Sequence, residues 1–456
     1  MAEHNVTVES TLERLLTEKK YSTIRDILIT MNPADISSVF DDMEEERLPL
    51  LFRLLPKELA AETFVEMEPD AQELLIRGFS DSELREVLDE LYVDDAVDIV
   101  EEMPANVVRR ILSQADPQMR KEINEILRYP ENSAGSIMTT EYVSLRPDMT
   151  VEEAILRIRR TGVDKETIYT CYVTKDRTLL GLITVKDLLL APDDETTISE
   201  IMVSNVISVN TQTDQEEVAQ MFSKYDFLAL PVVDAENRMV GIVTYDDAMD
   251  VMVDEATEDM EIMGGMTPSD KTYLRSTTFD LFKHRIPWLL LLMISATFTG
   301  LIITGFESAL TTLSLAAFIP MLMDTGGNTG SQSSVTVIRA ISLGELEFSD
   351  ILRVIWKEVR TAVLCGITLA IACFAKIMLV DRLLMGNDKI TATVAAVVCI
   401  TLALTVLVAK VIGCSLPMLA KKLGFDPAVM ASPFITTIVD AVSLLLYFGV
   451  ATAVLT

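Results

Sequence analysis

Beyond residue 285 the chain is a series of apolar runs of membrane-spanning length, and this limits its fold more than any other feature. Backbone N–H and C=O groups in hydrocarbon have no water to bond, so a spanning segment must be a helix or part of a closed barrel. Runs of about twenty residues fit helices, whereas spanning strands need about ten. Five spans are predicted: Ile286–Phe306, opened by Pro287; a second around Leu310–Ile341, broken by Gly326, Gly327 and Gly330; Thr361–Val380; Thr391–Val411; and Ala428–Leu455. Lys283 and Arg285 precede the first. Arg339, Arg353, Lys357 and Arg360 lie between the second and third, and Lys421 and Lys422 between the fourth and fifth. The remaining loops carry Glu307 in one and Arg382 and Lys389, beside Asp381 and Asp388, in the other. The basic loops face the cytoplasm, which predicts a cytoplasmic front part and an outer C-terminus.

The last span holds a charge. In DPAVMASPFITTIVDAVSLLLY, from Asp426, Asp440 lies inside the apolar stretch with Thr436, Thr437 and Ser443 about a turn away. A carboxylate at that depth costs roughly 2.5–3.5 kcal/mol, so it reads as facing a wet cavity or a cation. The plainer alternative is a packing Asp that bridges helices. In the second span, PMLMDTGGNTGSQSS from Pro320 places glycines and polar side chains at mid-membrane. Irregular backbone lining a cavity explains them, and so does a close helix-packing seam.

Charge is divided sharply along the chain. Residues 1–280 carry 26 Lys/Arg and 59 Asp/Glu, and residues 281–456 carry 12 and 10. An acidic front part attracts cations and argues against nucleic acid as a partner. Five cysteines, an odd number with no CxxC pair, give no disulfide framework or zinc site. The N-terminal stretch has no basic region followed by an apolar run, so no signal peptide is expected there.

Residues 1–129 read as helices. Met31-Asn32-Pro33, Met67-Glu68-Pro69 and Met103-Pro104 recur at about 35 residues, as stacked helix pairs do; a plain bundle is the alternative. Asp94 and Asp98 stand one turn apart in LYVDDAVDIVEEM, with Asp95, Glu101 and Glu102 nearby. Such a run usually marks a solvated face.

Residues 130–253 alternate short strands and helices, and their halves match. Gly181-Leu-Ile-Thr184-x-x-Asp187 repeats as Gly241-Ile-Val-Thr244-x-x-Asp247, 60 residues on. The pattern resembles a tandem of CBS domains, at about 137–190 and 201–253. That resemblance implies a regulatory module. An adenine nucleotide such as ATP would sit with Thr184 and Asp187 at the ribose and Tyr169 or Phe227 against the base. A pair that binds no nucleotide is equally compatible.

Residues 246–261, DDAMDVMVDEATEDME, have no Lys or Arg nearby: none occurs between Arg238 and Lys271. Like charges at i, i+4 destabilise a helix by about 0.2–0.5 kcal/mol per pair, and a divalent cation relieves that. From Lys271 an amphipathic stretch leads to Trp288 at the membrane interface. Residues 254–284 are thus expected to form a connecting helix and 285–456 the membrane domain.

The order of an acidic helical domain, a CBS pair, an acidic connector and five spans carries two motifs. They are P-x3-D-x2-G-N-x-G-x-Q (Pro320, Asp324, Gly327, Asn328, Gly330, Gln332) and D-P-x5-P-x6-D (Asp426, Pro427, Pro433, Asp440). Over essentially its whole length the chain resembles the MgtE family of magnesium transporters or channels. The resemblance implies a homodimer in the cell membrane. Asp440 of both subunits, helped by Thr436, would hold a hydrated Mg²⁺ in one ion path. It also implies closure by cytosolic Mg²⁺ bound at Asp94, Asp98, Glu216, Asp226, Asp247, Asp250, Glu255, Glu258, Asp259 and Asp426, with the connecting helix as plug. The role of Ser432 stays open. The rival reading is a membrane-anchored Mg²⁺ or nucleotide sensor that conducts nothing. An enzyme is not expected: there are only two His and no P-loop, GxSxG or HExxH motif.

Overall fold

The computed structural model describes residues 2–41, 43–269, 273, 276–306, 315–386 and 390–455; the side chains of residues 2–7, 164, 432 and 455 are also outside the description. Glu307, Asp388, Lys389, Lys271 and the Ser432 side chain, named above, therefore lie outside it. The chain divides into two compact units, residues 1–252 and 253–456.

The first unit opens with ten helices: α1 Ala2–Thr17, α2 Tyr21–Leu28, α3 Pro33–Asp41, α4 Leu48–Phe52, α5 Lys57–Val65, α6 Pro69–Gly78, α7 Asp81–Leu88, α8 Val93–Glu102, α9 Ala105–Gln114 and α10 Pro117–Ile126. Their starts follow the recurring prolines. Pro33 and Pro69 begin α3 and α6, and Pro104 precedes α9, as suits a residue whose missing N–H needs no partner there. Ser80 and Glu83 close a capping box on α7. One continuous apolar core runs from Leu12 to Ile126, with Phe52, Phe64 and Phe79 packed at 5.3–6.3 Å between ring centres.

Two three-stranded sheets follow. The first is β1 Tyr142–Leu145, β2 Thr167–Lys175 and β3 Thr178–Thr184, with α11 Val151–Thr161, α12 Val185–Leu189 and α13 Ile198–Ile201. The second is β4 Val209–Asn210, β5 Ala229–Val233 and β6 Met239–Thr244, with α14 Gln215–Tyr225. In each, the first pair is parallel and the second antiparallel. The matching glycines have matching jobs. A Cβ on Gly181 would come within 2.9 Å of the Val203 carbonyl, and one on Gly241 within 2.6 Å of the Thr139 carbonyl. Each glycine lets a crossing segment lie against its sheet.

A helix, α15, runs from Tyr245 to Met263. It begins earlier than the expected connector and stops sooner. Gly265, at φ +71°, follows its end, and a further helix begins at Thr278. The left-handed backbone at Gly265 breaks the hydrogen-bond ladder there.

Among the described residues the second unit contains five long helices: α16 Thr278–Gly305, α17 Ile319–Ser342, α18 Ile351–Lys376, α19 Ala392–Lys422 and α20 Ser432–Leu455. A π-helical turn, Ile377–Leu384, extends α18, and a 3₁₀ turn, Pro427–Met430, precedes α20. Four of them, α17 being the exception, are long and apolar enough to cross a membrane. The expectation of a broken second span is overturned: α17 is one uninterrupted helix. Its glycines serve contact instead. A Cβ on Gly326 would meet Thr405 at 2.7 Å, one on Gly330 would meet Ile435 at 2.8 Å, and one on Gly413 would collide with the Gly330 carbonyl. The small-residue seam packs α17 against α19 and α20, and contact offsets the roughly 1 kcal/mol a mid-helix glycine costs.

Candidate functional site

Asp440 lies half-buried on α20, one turn beyond Thr436, whose hydroxyl donates to the Pro433 carbonyl at 3.0 Å. The glycine seam brings α17 to this level, since a Cβ on Gly327 would stand 3.0 Å from Thr436. Asp324 of α17 is the charge that Asp440 feels. Asn328 donates to Asp324 Oδ1 at 3.1 Å. Among the described residues neither carboxylate forms an ion pair.

Asp324 was visible only as part of a motif. Asp324, Asn328, Gln332 and Thr336 follow one another at four-residue steps, and all four are exposed on the single chain. They form one polar stripe along a helix. The four-residue spacing was the available signal. The glycines between them drew attention to a break that does not exist.

The first unit gathers a second acidic group. Asp94, at the start of α8, is 7 % exposed, so the solvated-face reading fails for it. One carboxylate oxygen each from Asp94, Glu141 and Glu166 lie within 4.8 Å of one another. Asp94 Oδ1 and Glu166 Oε2 are buried without a hydrogen-bond donor among the described residues. Burial first, then the charges of Asp247 and Asp95, push Asp94 well up from the usual carboxylate range. Burial and Asp95 push Glu166 to about 8. Burial and Asp247 raise Asp95 and Asp98 to about 7. Asp98 keeps an exposed side chain, so water screens it more than Asp94. Asp247 rises to about 6 through burial, opposed by the Thr244 hydroxyl, which donates to it at 2.5 Å. Glu141 and Glu166 were missed because they stand just ahead of β1 and β2, far from α8 in sequence, with no local pattern. Orphaned oxygens in a crowd of carboxylates fit a hard divalent cation, which takes oxygen ligands.

The other acidic candidates fall into separate places. Asp250 is exposed one turn after Asp247, where its charge bears on Glu66. Glu216 and Asp226 bracket α14. Ten residues of helix, about 15 Å, separate them, so one chain does not offer both to one ion. On the far part of α15, Glu255 and Asp259 are half-buried and Glu258 is exposed. Asp259 accepts from the Ser342 hydroxyl at 2.9 Å, and burial together with Asp426 raises its pKa. Asp426 itself is exposed and caps the turn before α20 through Ala428 N–H at 2.7 Å.

The nucleotide candidates are less assembled. Thr184 and Asp187 bind each other, with the hydroxyl 2.6 Å from the carboxylate in a capping box on α12. Tyr169 is exposed on β2, next to Thr170, which pairs with Thr184. Phe227 belongs to the other module. It stacks on Tyr225 at 5.3 Å and lines a cleft of about 310 Å³ with Asp226, Tyr245 and Met249.

Comparison with known proteins accounts for nearly the whole chain. Residues 319–450 match the model for divalent cation transporters, residues 31–132 that for the MgtE intracellular N domain, and residues 134–194 and 198–254 that for CBS domains. The magnesium transporter MgtE of Thermus thermophilus is 38% identical, over 96% of this chain and 97% of its own length. That of Bacillus subtilis is 33% identical, over 96% and 95%. The crystal structure of the cytosolic domain of the Mg²⁺ channel MgtE with ATP matches 53% of this chain and 99% of its own. It does so at 40% identity and a TM-score of 0.51. With five long helices behind a helical and CBS front part, the chain is a multi-pass membrane protein that belongs to the MgtE family of divalent cation transporters.

Proposed function

We propose that the protein is a magnesium transporter in which Asp440, Asp324 and Thr436 line the ion path. The observation that carries this is a pair of intramembrane carboxylates with no basic counter-ion among the described residues. Mg²⁺ sheds water reluctantly and binds one or two carboxylates while keeping several waters. Asp440 and Asp324 suit that chemistry. The names of the T. thermophilus and B. subtilis relatives support the choice of ion.

The functional form is a homodimer in the cell membrane, N-terminus inside and C-terminus outside. The exposed stripe Asp324, Asn328, Gln332 and Thr336 supports it: lipid is a poor neighbour for such a face, and a second copy around a wet path is a good one. The separation of Glu216 and Asp226 on α14 points the same way, since an ion shared by both needs two chains. Cytosolic Mg²⁺ closes the path. Asp94, Glu141, Glu166 and Asp247 would hold one ion, helped by Asp95 and Asp98. Asp259, Glu255, Glu258 and Asp426 form the acidic group nearest the membrane helices, with Asp250 an outlying ligand. ATP at the CBS pair, with Tyr169, Thr184, Asp187 and Phe227, is a reading supported by the ATP complex of the matching cytosolic domain.

Purified protein in liposomes tests the function. Asp440→Asn is expected to abolish Mg²⁺ flux while the protein still elutes as a dimer. Wild-type flux through that variant removes Asp440 from the ion path.

A further inference from the structure

The second unit also contains a largely buried ion pair that the ion path does not use. Lys410 of α19 is 5 % exposed, and its Nζ donates to Glu358 Oε2 of α18 at 3.1 Å and to Ser333 Oγ of α17 at 3.0 Å. Ser333 Oγ donates in turn to the same Glu358 oxygen at 2.7 Å. Three helices thus meet at one closed triangle of hydrogen bonds.

Stability alone is a weak reason for it. Replacing a buried ion pair by well-packed apolar residues is often neutral or stabilising, and charges inside membrane helices are rare and functional by default. The ammonium already neutralises Glu358, so the triangle is no cation site.

Its location is informative. Gly330, one turn before Ser333, takes the backbone of Gly413, three residues after Lys410; a Cβ there would collide with the Gly330 carbonyl. Ser334, next to Ser333, donates to the Met430 carbonyl at 2.7 Å, just ahead of α20. The triangle therefore sits within a turn of a close crossing of α17 and α19, on the helix whose other face carries Asp324, Asn328 and Gln332. A one-residue slip turns a helix by about 100° and moves it about 1.5 Å. The glycine contacts oppose such a slip by sterics alone; the triangle adds directed bonds that are lost on any smaller turn or shift of α17.

We propose that Lys410, Glu358 and Ser333 are positioning residues that fix the rotation and height of α17, holding Asp324 and Asn328 in register with Asp440 and so setting which cation passes. This rests on Asp440 being the ion site.

The test uses full-length protein in liposomes, with Mg²⁺ and Co²⁺ flux measured separately. Lys410→Met, Glu358→Gln, Ser333→Ala and the double variant Lys410→Met/Glu358→Met are compared. The ratio of the two fluxes is the readout, because loss of folded protein scales both alike. The triangle variants are expected to change that ratio by about tenfold, as small misplacements of binding groups do, with Ser333→Ala changing it less in the same direction. If single-charge variants do not fold, the apolar double variant and Ser333→Ala carry the test. An unchanged ratio in every variant that folds overturns the proposal. Should Asp440→Asn abolish flux while the ratio stays fixed, the clamp fails alone; should Asp440→Asn conduct normally, the ion-path reading fails first.

Discussion

Asp94 and Asp98 illustrate what a single residue reveals. Their spacing in LYVDDAVDIVEEM places both on one helix, and that much is legible. What surrounds Asp94 is not, because Glu141 and Glu166 arrive from loops ahead of distant strands. A buried carboxylate among like charges opposes its own fold unless a cation or proton joins it. Asp94→Asn is therefore expected to raise the melting temperature in Mg²⁺-free buffer, equivalent to about 1 kcal/mol, and to shrink the further rise that Mg²⁺ brings. A variant equally destabilised with and without Mg²⁺ would identify Asp94 as a packing residue. Asp440 shows the opposite case: a lone charge in an apolar run marks itself, and the structure supplied only its neighbour Asp324.

At the scale of elements, α17 is where the sequence was hardest to read. Glycine signals both flexible backbone and close approach, and only the facing helices decide between them. Here Gly326 and Gly330 face side chains of α19 and α20, while Gly413 faces the Gly330 carbonyl. Gly413→Ala is expected to cost about 1–3 kcal/mol by overpacking, because the obstructing atom is backbone and cannot rotate away. Gly300→Ala on α16, where a Cβ meets nothing within 4 Å, is the control, and should be neutral or stabilising by up to about 1 kcal/mol. Equal melting temperatures for the two variants would contradict the seam. The strand–helix alternation of the CBS pair was easier, because its two halves repeat each other and the turn residues punctuate them.

At the scale of the molecule, the carboxylates of the first unit make its behaviour depend on pH. Asp247 at about 6, Asp95 and Asp98 at about 7 and Glu166 at about 8 all lie above their ordinary values. A carboxyl raised in the fold binds more protons folded than unfolded, so it favours the fold at low pH. That contribution is lost as pH rises through these values. Without divalent cations the front part should thus grow more protease-sensitive from about pH 6 to pH 8. Mg²⁺ at the proposed acidic site would displace the same protons, so the Mg²⁺ needed to restore resistance should fall as pH rises, by up to about tenfold per unit for each proton released. A midpoint independent of pH would place the Mg²⁺ elsewhere. The polar stripe on α17 has a further consequence, for the life of one copy before it meets another. On the proposed dimer, a lone copy would turn Asp324 toward acyl chains and be disfavoured by roughly 2.5–3.5 kcal/mol, on the order of a hundredfold in population. A cell making this protein would then keep almost no reserve of unpaired halves: the supply of working transporters follows synthesis, and a copy that finds no mate is a candidate for removal rather than storage.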